Sequence, residues 1–325
     1  MIRFRPFRHA ALVGALLACL VSAAVAQEFP SRPLRLVVPW PAGGGPDIAA
    51  RIVAEHLGQR LGRPVVVDNR AGATGRIGTE AVAKGEADGY TLALANVSTH
   101  VLPVAGGLKL AYDPVRDFAP VGLIGGTPGL LVVHPGVAAK NLAELIALAK
   151  ASPGKLSFAS PGTGSGFHIT AEMFRGAAGI DLLHVPFKGA APALTEVLGG
   201  RVDMVFDQQG ALAQVAAGKL RAIATTGPKR WSAAPDVPTL DEAGLKGFEA
   251  LSWFGIFVPA ATPAPVVARL SRDLQGVLGS AEGRKALLDR GVEPMPGPPE
   301  DLRRRQSGDI ERWGRAIREA KIVIE

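Results

Sequence analysis

Leu34-Arg35-Leu36-Val37-Val38-Pro39-Trp40-Pro41-Ala42-Gly43-Gly44-Gly45-Pro46-Asp47-Ile48 passes from an apolar run, through a glycine turn, into a helical pattern. Residues 34–39 are apolar except for Arg35, which is the signature of a strand buried on both faces. Pro46 suits the first helical position, where its missing N–H is not needed. Ile48, Ile52, Val53 and Leu57 then predict a helix over 46–61. Working outward, 65–69 reads as a strand, 77–84 as a helix and 90–96 as a third strand. This βαβαβ opening implies a parallel sheet with right-handed crossovers.

A second alternating block follows. Strands are expected at 130–134, 156–160, 182–185, 202–206 and 220–225. Helices are expected at 141–150, 167–178 and 191–198. Asn141 and Glu144 have the spacing of a capping box. A last block holds a strand at 251–258 and helices at 265–278, 282–290 and 299–320. The expectation is an α/β chain of two lobes, each a mixed, mostly parallel sheet flanked by helices. Lobe 1 is 27–125 plus 252–325, and lobe 2 is 126–251. The glycine-rich first crossing, 125–129, is read as a hinge, and no long polar linker separates the halves.

The 325 residues are 47% hydrophobic and 20% charged, with 40 Gly and 26 Pro that follow no period. Disorder, collagen and repeat arrays are excluded. The only long apolar run is N-terminal. Arg3, Arg5 and Arg8 precede an apolar stretch over 10–21, and Ala24-Val25-Ala26 supplies a small-x-small cleavage site, so 1–26 reads as a signal peptide. Export to the periplasm follows. A lipoprotein box at Cys19 fits less well, because Leu17 suits it poorly and the apolar run continues past the cysteine. Cys19 is the only cysteine, so the mature chain would carry no disulfide and no thiol chemistry. Loss of three arginines lowers the net charge from +7 to +4. The Arg303-Arg304-Arg305 cluster reads as a solvated helix face rather than a nucleic-acid patch.

Three strand-end loops could hold an anion. In the first, Gly43, Gly44 and Gly45 let backbone approach a ligand at a helix N-terminus. Asp47 reads as a first-turn dipole partner, and Trp40 as a pocket wall. The second, 159–168, offers Ser160, Thr163 and Ser165 hydroxyls, with His168 in the first helical turn. Ser165 lies in Gly-Ser-Gly, outside the Gly-x-Ser-x-Gly elbow, and no acidic partner is evident. Binding therefore outweighs nucleophilic catalysis. The third is Asn96, Ser98 and Thr99 at the end of a strand, where open parallel sheets bind ligands. Asp207 ends a strand in the second lobe and could face across a cleft. No histidine pair has metal-ligand spacing, and neither a metal nor a cofactor is expected. Trp253 reads as core.

The sequence resembles the Bug family, the substrate-binding proteins of tripartite tricarboxylate transporters. The resemblance is carried, in order, by Pro30-Ser31-Arg32-Pro33, Val38-Pro39-Trp40 with Gly43-Gly44 and Asp47, Asp68-Asn69-Arg70, and Asp88-Gly89-Tyr90-Thr91. It continues through Asp113-Pro114, the 160–168 loop, Val185-Pro186-Phe187-Lys188-Gly189, Gly218-Lys219-Leu220-Arg221-Ala222 and Pro235-Asp236-Val237-Pro238-Thr239. It implies a periplasmic Venus-flytrap protein that captures a small organic carboxylate and delivers it to transmembrane permease subunits, without being an enzyme. It also implies ligand contacts at Gly43, Gly44, Gly45, Asp47, Asn96, Ser98, Thr99, Ser160, Thr163, Ser165, His168 and Asp207, largely through amides, hydroxyls and waters, beside the pocket wall read at Trp40. Gly45 departs from the pattern, because the family more often has Ser or Thr there. Two rivals are a sensory receptor using the same cleft and an exported hydrolase using Ser165 and His168.

Overall fold

Alternating apolar strands and amphipathic helices build two separate sheets. The structure, a computed structural model, describes residues 29–324; the leader and Cys19 lie outside the described residues. In chain order come β1 (Leu34–Val38), α1 (Gly45–Leu61), β2 (Val65–Asn69), α2 (Arg76–Ala83), β3 (Thr91–Asn96), α3 (Val97–His100), α4 (Leu102–Ala105), β4 (Phe118–Pro128) and β5 (Leu130–Val133). Next are α5 (Leu142–Ala151), β6 (Ser157–Ser160), α6 (Gly166–Ala178), β7 (Leu183–Pro186), α7 (Ala190–Leu198), β8 (Met204–Asp207), α8 (Gln209–Ala216) and β9 (Arg221–Thr225). The chain closes with β10 (Leu251–Pro259), α9 (Ala264–Gly279), α10 (Ala281–Leu288), β11 (Glu293–Pro294) and α11 (Pro299–Glu319).

The first sheet has the order β11-β4-β10-β3-β1-β2, and the second β7-β6-β8-β5-β9. β1 pairs parallel with β2 and β3, and β6 pairs parallel with β7 and β8. Antiparallel pairs enter through β10 in the first sheet and β5 in the second, so both sheets are mixed. Each lobe is thus an α/β layer structure. The chain passes between sheets twice, from Pro128 to Leu130 and from Thr225 to Leu251.

Local chemistry sets the helix ends. Pro46 lies in the first turn of α1, and Gly62 stops that helix in the left-handed region at φ 67°. The Asn141 carboxamide accepts from the Glu144 amide at 2.9 Å, opening α5 as its spacing predicts. Leu36, Val38, Val53, Leu57, Ile256 and Leu274 pack one core between the first sheet and helices α1 and α9.

Three expectations change. The sequence reads 125–129 as a hinge and assigns no element to 118–124, but Gly125 and Gly126 lie inside an 11-residue strand. A Cβ on Gly125 would stand 2.3 Å from the Glu293 carbonyl oxygen, and one on Gly126 2.7 Å from the Leu251 side chain. These glycines serve close packing rather than swing. The third strand-end loop is a short helix over Val97–His100. The arginine cluster also turns largely inward. Arg303 donates to the Val115 and Phe118 carbonyls at 2.7 and 3.1 Å, and Arg305 pairs with Glu249 and Asp309. Asp309 is buried and also accepts from the Trp253 indole at 2.7 Å. These bonds moor α11 to β10, and Trp253 is core, as its sequence context predicts. No helix among the described residues is long and apolar enough to cross a membrane.

Candidate functional site

The ends of β1, β3, β6 and β8 carry the loops named from sequence. In the first loop, Gly43 adopts φ +86°, a conformation that suits glycine, and donates its amide to Asp47 at 2.9 Å. Asp47 is 2% exposed and also accepts from Arg51 and Asn69, each at 2.9 Å. Burial pushes its pKa up, but the Arg51, Gly43 and Asn69 hydrogen bonds outweigh that and hold the carboxyl below its usual range. Asp47 is therefore the internal staple of this loop. Gly44 is the cap residue before α1. Trp40 is half-buried against the core and accepts from Asn69 through its carbonyl.

In the third loop, the Asn96 side chain accepts from the Ser98 amide at 2.8 Å and from the Ser98 hydroxyl at 2.7 Å. Thr99 is fully buried, and its hydroxyl returns to the Asn96 backbone. The loop is self-bonded, with Asn96 and Ser98 on its open side.

In the second loop, Ser165 caps α6 by accepting from the His168 amide at 3.3 Å. Its own O–H donates to no group among the described residues. The amides of Gly166 and Phe167 have no carbonyl four residues back in the helix to bond, as at any helix start. His168 is buried; its Nδ1 accepts from the Gly164 amide at 3.0 Å, and its ring stacks on His184 with centroids 3.9 Å apart. Burial, then the neighbouring His184 and Arg175 charges, lower the His168 pKa to about 4. Ser160 is fully buried and meets His184 Nε2 at 2.7 Å, and Thr163 is exposed. His168 thus holds the loop and does not approach the Ser165 hydroxyl as a general base would. In β8, Asp207 turns back on its own chain, accepting from Gln208 and Ala211 amides at 2.6 and 3.0 Å as it opens α8.

Between the lobes lies a cavity of about 210 Å³ lined by Asn96, Ser98 and Ser252 from one side and by Ser165, Gly166, Thr170 and Gln208 from the other. Phe167, Leu102, Val97 and Trp313 supply apolar walls, and no charged side chain lines it. A second cavity of about 620 Å³ shares Asn96, Gln208 and Ser252 with it and reaches Gly45 at the start of α1. Of the residues named from sequence, the structure brings Gly45, Asn96, Ser98 and Ser165 onto these walls. Trp40, Gly43, Gly44, Asp47, Thr99, Ser160, Thr163, His168 and Asp207 line neither cavity. Gln208, Thr170, Ser252 and Trp313 went unmarked. Gln208 alone had a sequence signal, its place after a strand end beside Asp207; it donates to the Thr127 carbonyl at 3.0 Å, across the lobe boundary. Among the described residues no cluster of three metal-ligating side chains occurs.

Two lobes with glycine- and hydroxyl-rich loops facing a shared cavity are the anatomy of a solute receptor. A family model described as "Tripartite tricarboxylate transporter family receptor" matches residues 49–322. The chain belongs to that family. Protein BugT of Bordetella pertussis is 38% identical over 299 residues, covering 90% of this chain and 91% of BugT. Among solved structures, R. palustris Rpa4515 with adipate superposes with a TM-score of 0.76 at 35% identity, covering 92% of this chain and all of that one. The periplasmic binding protein BugD superposes with a TM-score of 0.70 at 35% identity, covering 91% of this chain and all of that one. As a tripartite tricarboxylate transporter receptor of the Bug group, the chain is a solute-binding protein with the two-lobe α/β fold expected from its sequence.

Proposed function

We propose that this receptor is exported to the periplasm, captures a small organic carboxylate between its lobes, and presents the loaded form to the permease subunits of a tripartite tricarboxylate transporter. One observation carries the reading. The 210 Å³ cavity has no fixed cation, yet it is lined by the Ser165 hydroxyl and the residues of the α6 start, opposite Asn96 and Ser98. Free amides and a helix dipole favour a carboxylate without a matching arginine. The adipate held by Rpa4515 supports that ligand class.

In this reading Asn96, Ser98, Ser165, Gln208 and Gly45 contact the ligand. Gly43, Gly44, Asp47, Thr99, Ser160, His168 and Asp207 shape the loops that do so, with Trp40 beside them. Thr163 stands at the exposed rim. The ligand shifts the lobes toward closure by its differential affinity for the closed state.

The test is thermal unfolding of ligand-stripped protein against a panel of mono-, di- and tricarboxylates. An acid at about 100 times its dissociation constant adds about 2.7 kcal/mol. A melting shift with a carboxylate, reduced in Ser98→Ala and Gln208→Ala, is expected. A panel that leaves the melting temperature unmoved overturns the reading.

A further inference from the structure

The larger cavity carries a feature that the smaller one lacks. Among the residues lining either cavity, Arg290 is the single cationic side chain. The one acid in the larger cavity, Asp289, is paired with Lys285 at 2.6 Å. Arg290 is exposed and forms no ion pair or side-chain hydrogen bond among the described residues.

Its backbone, by contrast, is pinned. The Arg290 carbonyl accepts from Gln209 Nε2 at 3.2 Å, and the Gly291 carbonyl accepts from the Trp231 indole at 3.1 Å. Gly291 sits at φ +70°, and a Cβ there would come within 2.9 Å of Gln209 Nε2. The turn is thus held against lobe 2 by Gln209 and Trp231, while the exposed guanidinium is bonded to no group among the described residues. Trp231, Phe254, Leu212 and Ile48 give the same cavity apolar walls. A methylene chain could run along them, from the uncharged polar junction at Asn96, Gln208 and Ser252 toward the arginine.

We infer that Arg290 is a specificity-determining residue that takes the second anionic group of a dicarboxylate, the first being held at the uncharged junction. This rests on the carboxylate-capture reading above. A guanidinium and a carboxylate form the strong, charge-assisted class of hydrogen bond, and lobe closure removes water from the pair. A monocarboxylate of equal length gains nothing from it.

The experiment is calorimetric titration of wild type, Arg290→Gln and Arg290→Lys with two matched pairs, succinate against butyrate and adipate against hexanoate. Wild type is expected to favour the diacid of at least one pair by about tenfold. Arg290→Gln should lose that preference by weakening the diacid alone, and Arg290→Lys should keep part of it. In wild type the preference should also shrink as salt rises, a readout that needs no variant. Equal wild-type affinity for diacid and monoacid in both pairs overturns the inference while leaving carboxylate capture intact. So does a preference that survives Arg290→Gln. Wild type that binds no carboxylate at all overturns both.

Discussion

The Thr226 hydroxyl donates to the Ala250 carbonyl at 2.5 Å, so one buried side chain ties together the two passages between the lobes. The same oxygen accepts from the Gly129 amide at 2.7 Å. Backbone bonds at 2.9 Å from Thr226 to Gly129 and from Ala250 to Thr226 complete the junction. The junction between the two lobes is therefore a hydrogen-bonded seam. Thr226→Val keeps the shape but strands a buried N–H and a buried carbonyl. Urea unfolding should show a loss of about 2–3 kcal/mol, whereas Thr226→Ser, which keeps the hydroxyl, should lose less than half of that.

Asp47 concentrates three bonds in the loop that leads into α1. Its two oxygens receive Gly43, Arg51 and Asn69, and Asp47→Asn has only one acceptor oxygen to offer them. A stability loss of about 1–3 kcal/mol is expected by chemical denaturation. Because these bonds hold the folded-state pKa below the unfolded one, the wild-type contribution is present above the unfolded value near pH 4 and fades as pH falls below it. The variant should show a flatter stability profile in that acid range.

Two serines of one loop should respond differently. Ser165 lines the cavity and caps α6, so Ser165→Ala should weaken ligand binding and also cost about 1 kcal/mol of stability. Ser160 has no exposed surface and sits on His184. Ser160→Ala should lower stability by about 1–2 kcal/mol through the stranded imidazole, with ligand affinity nearly unchanged once the fold is saturated. Titration paired with thermal melts of both variants separates the two roles. A large affinity loss in Ser160→Ala would place that serine in the ligand's path instead.

The alternation of strands and helices was legible because period 2 and period 3.6 patterns depend only on near neighbours along the chain. β4 was not. Pro120, Gly122, Gly125, Gly126 and Pro128 have the composition of a linker, and what selects glycine there is Glu293 and Leu251, far away in sequence. The cavity shows the same division. Ser98 and Ser165 could be found because polar residues at strand ends face ligands in this architecture. Ser252 and Trp313 could not, since a polar residue in β10 and a tryptophan on the amphipathic α11 read as ordinary strand and core positions. Asp47 reads from sequence as a first-turn dipole partner, and it lies in the first turn of α1; Asp207, expected to face across a cleft, shows that sequence cannot tell a carboxylate aimed outward from one folded back onto its own chain. Both fold back.

Acid should loosen this protein through its buried histidines, His168 among them, with the Glu172 carboxylate 3.9 Å from His168 Nε2 offsetting part of the effect there. Burial, then His184 and Arg175, lower its folded-state pKa to about 4, against an unfolded value of 6.5. His100 is lowered to about 3, chiefly by burial with Arg303 adding to it, and His184 is lowered by burial. Between pH 6.5 and about 4 the unfolded chain therefore binds more protons than the folded one. The stability that neutral His168 allows is full above pH 6.5 and is lost as pH falls toward 4. The slope is about 1.4 kcal/mol per pH unit for each such histidine, and His168 accounts for about 3 kcal/mol across the window. His168→Asn can still accept from Gly164 but cannot titrate. Urea denaturation at half-unit intervals from pH 7 to 4 should therefore show a slope reduced by one proton in the variant. An unchanged slope would mean that His168 is already protonated in the folded protein, and its bond from the Gly164 amide would then have to be broken.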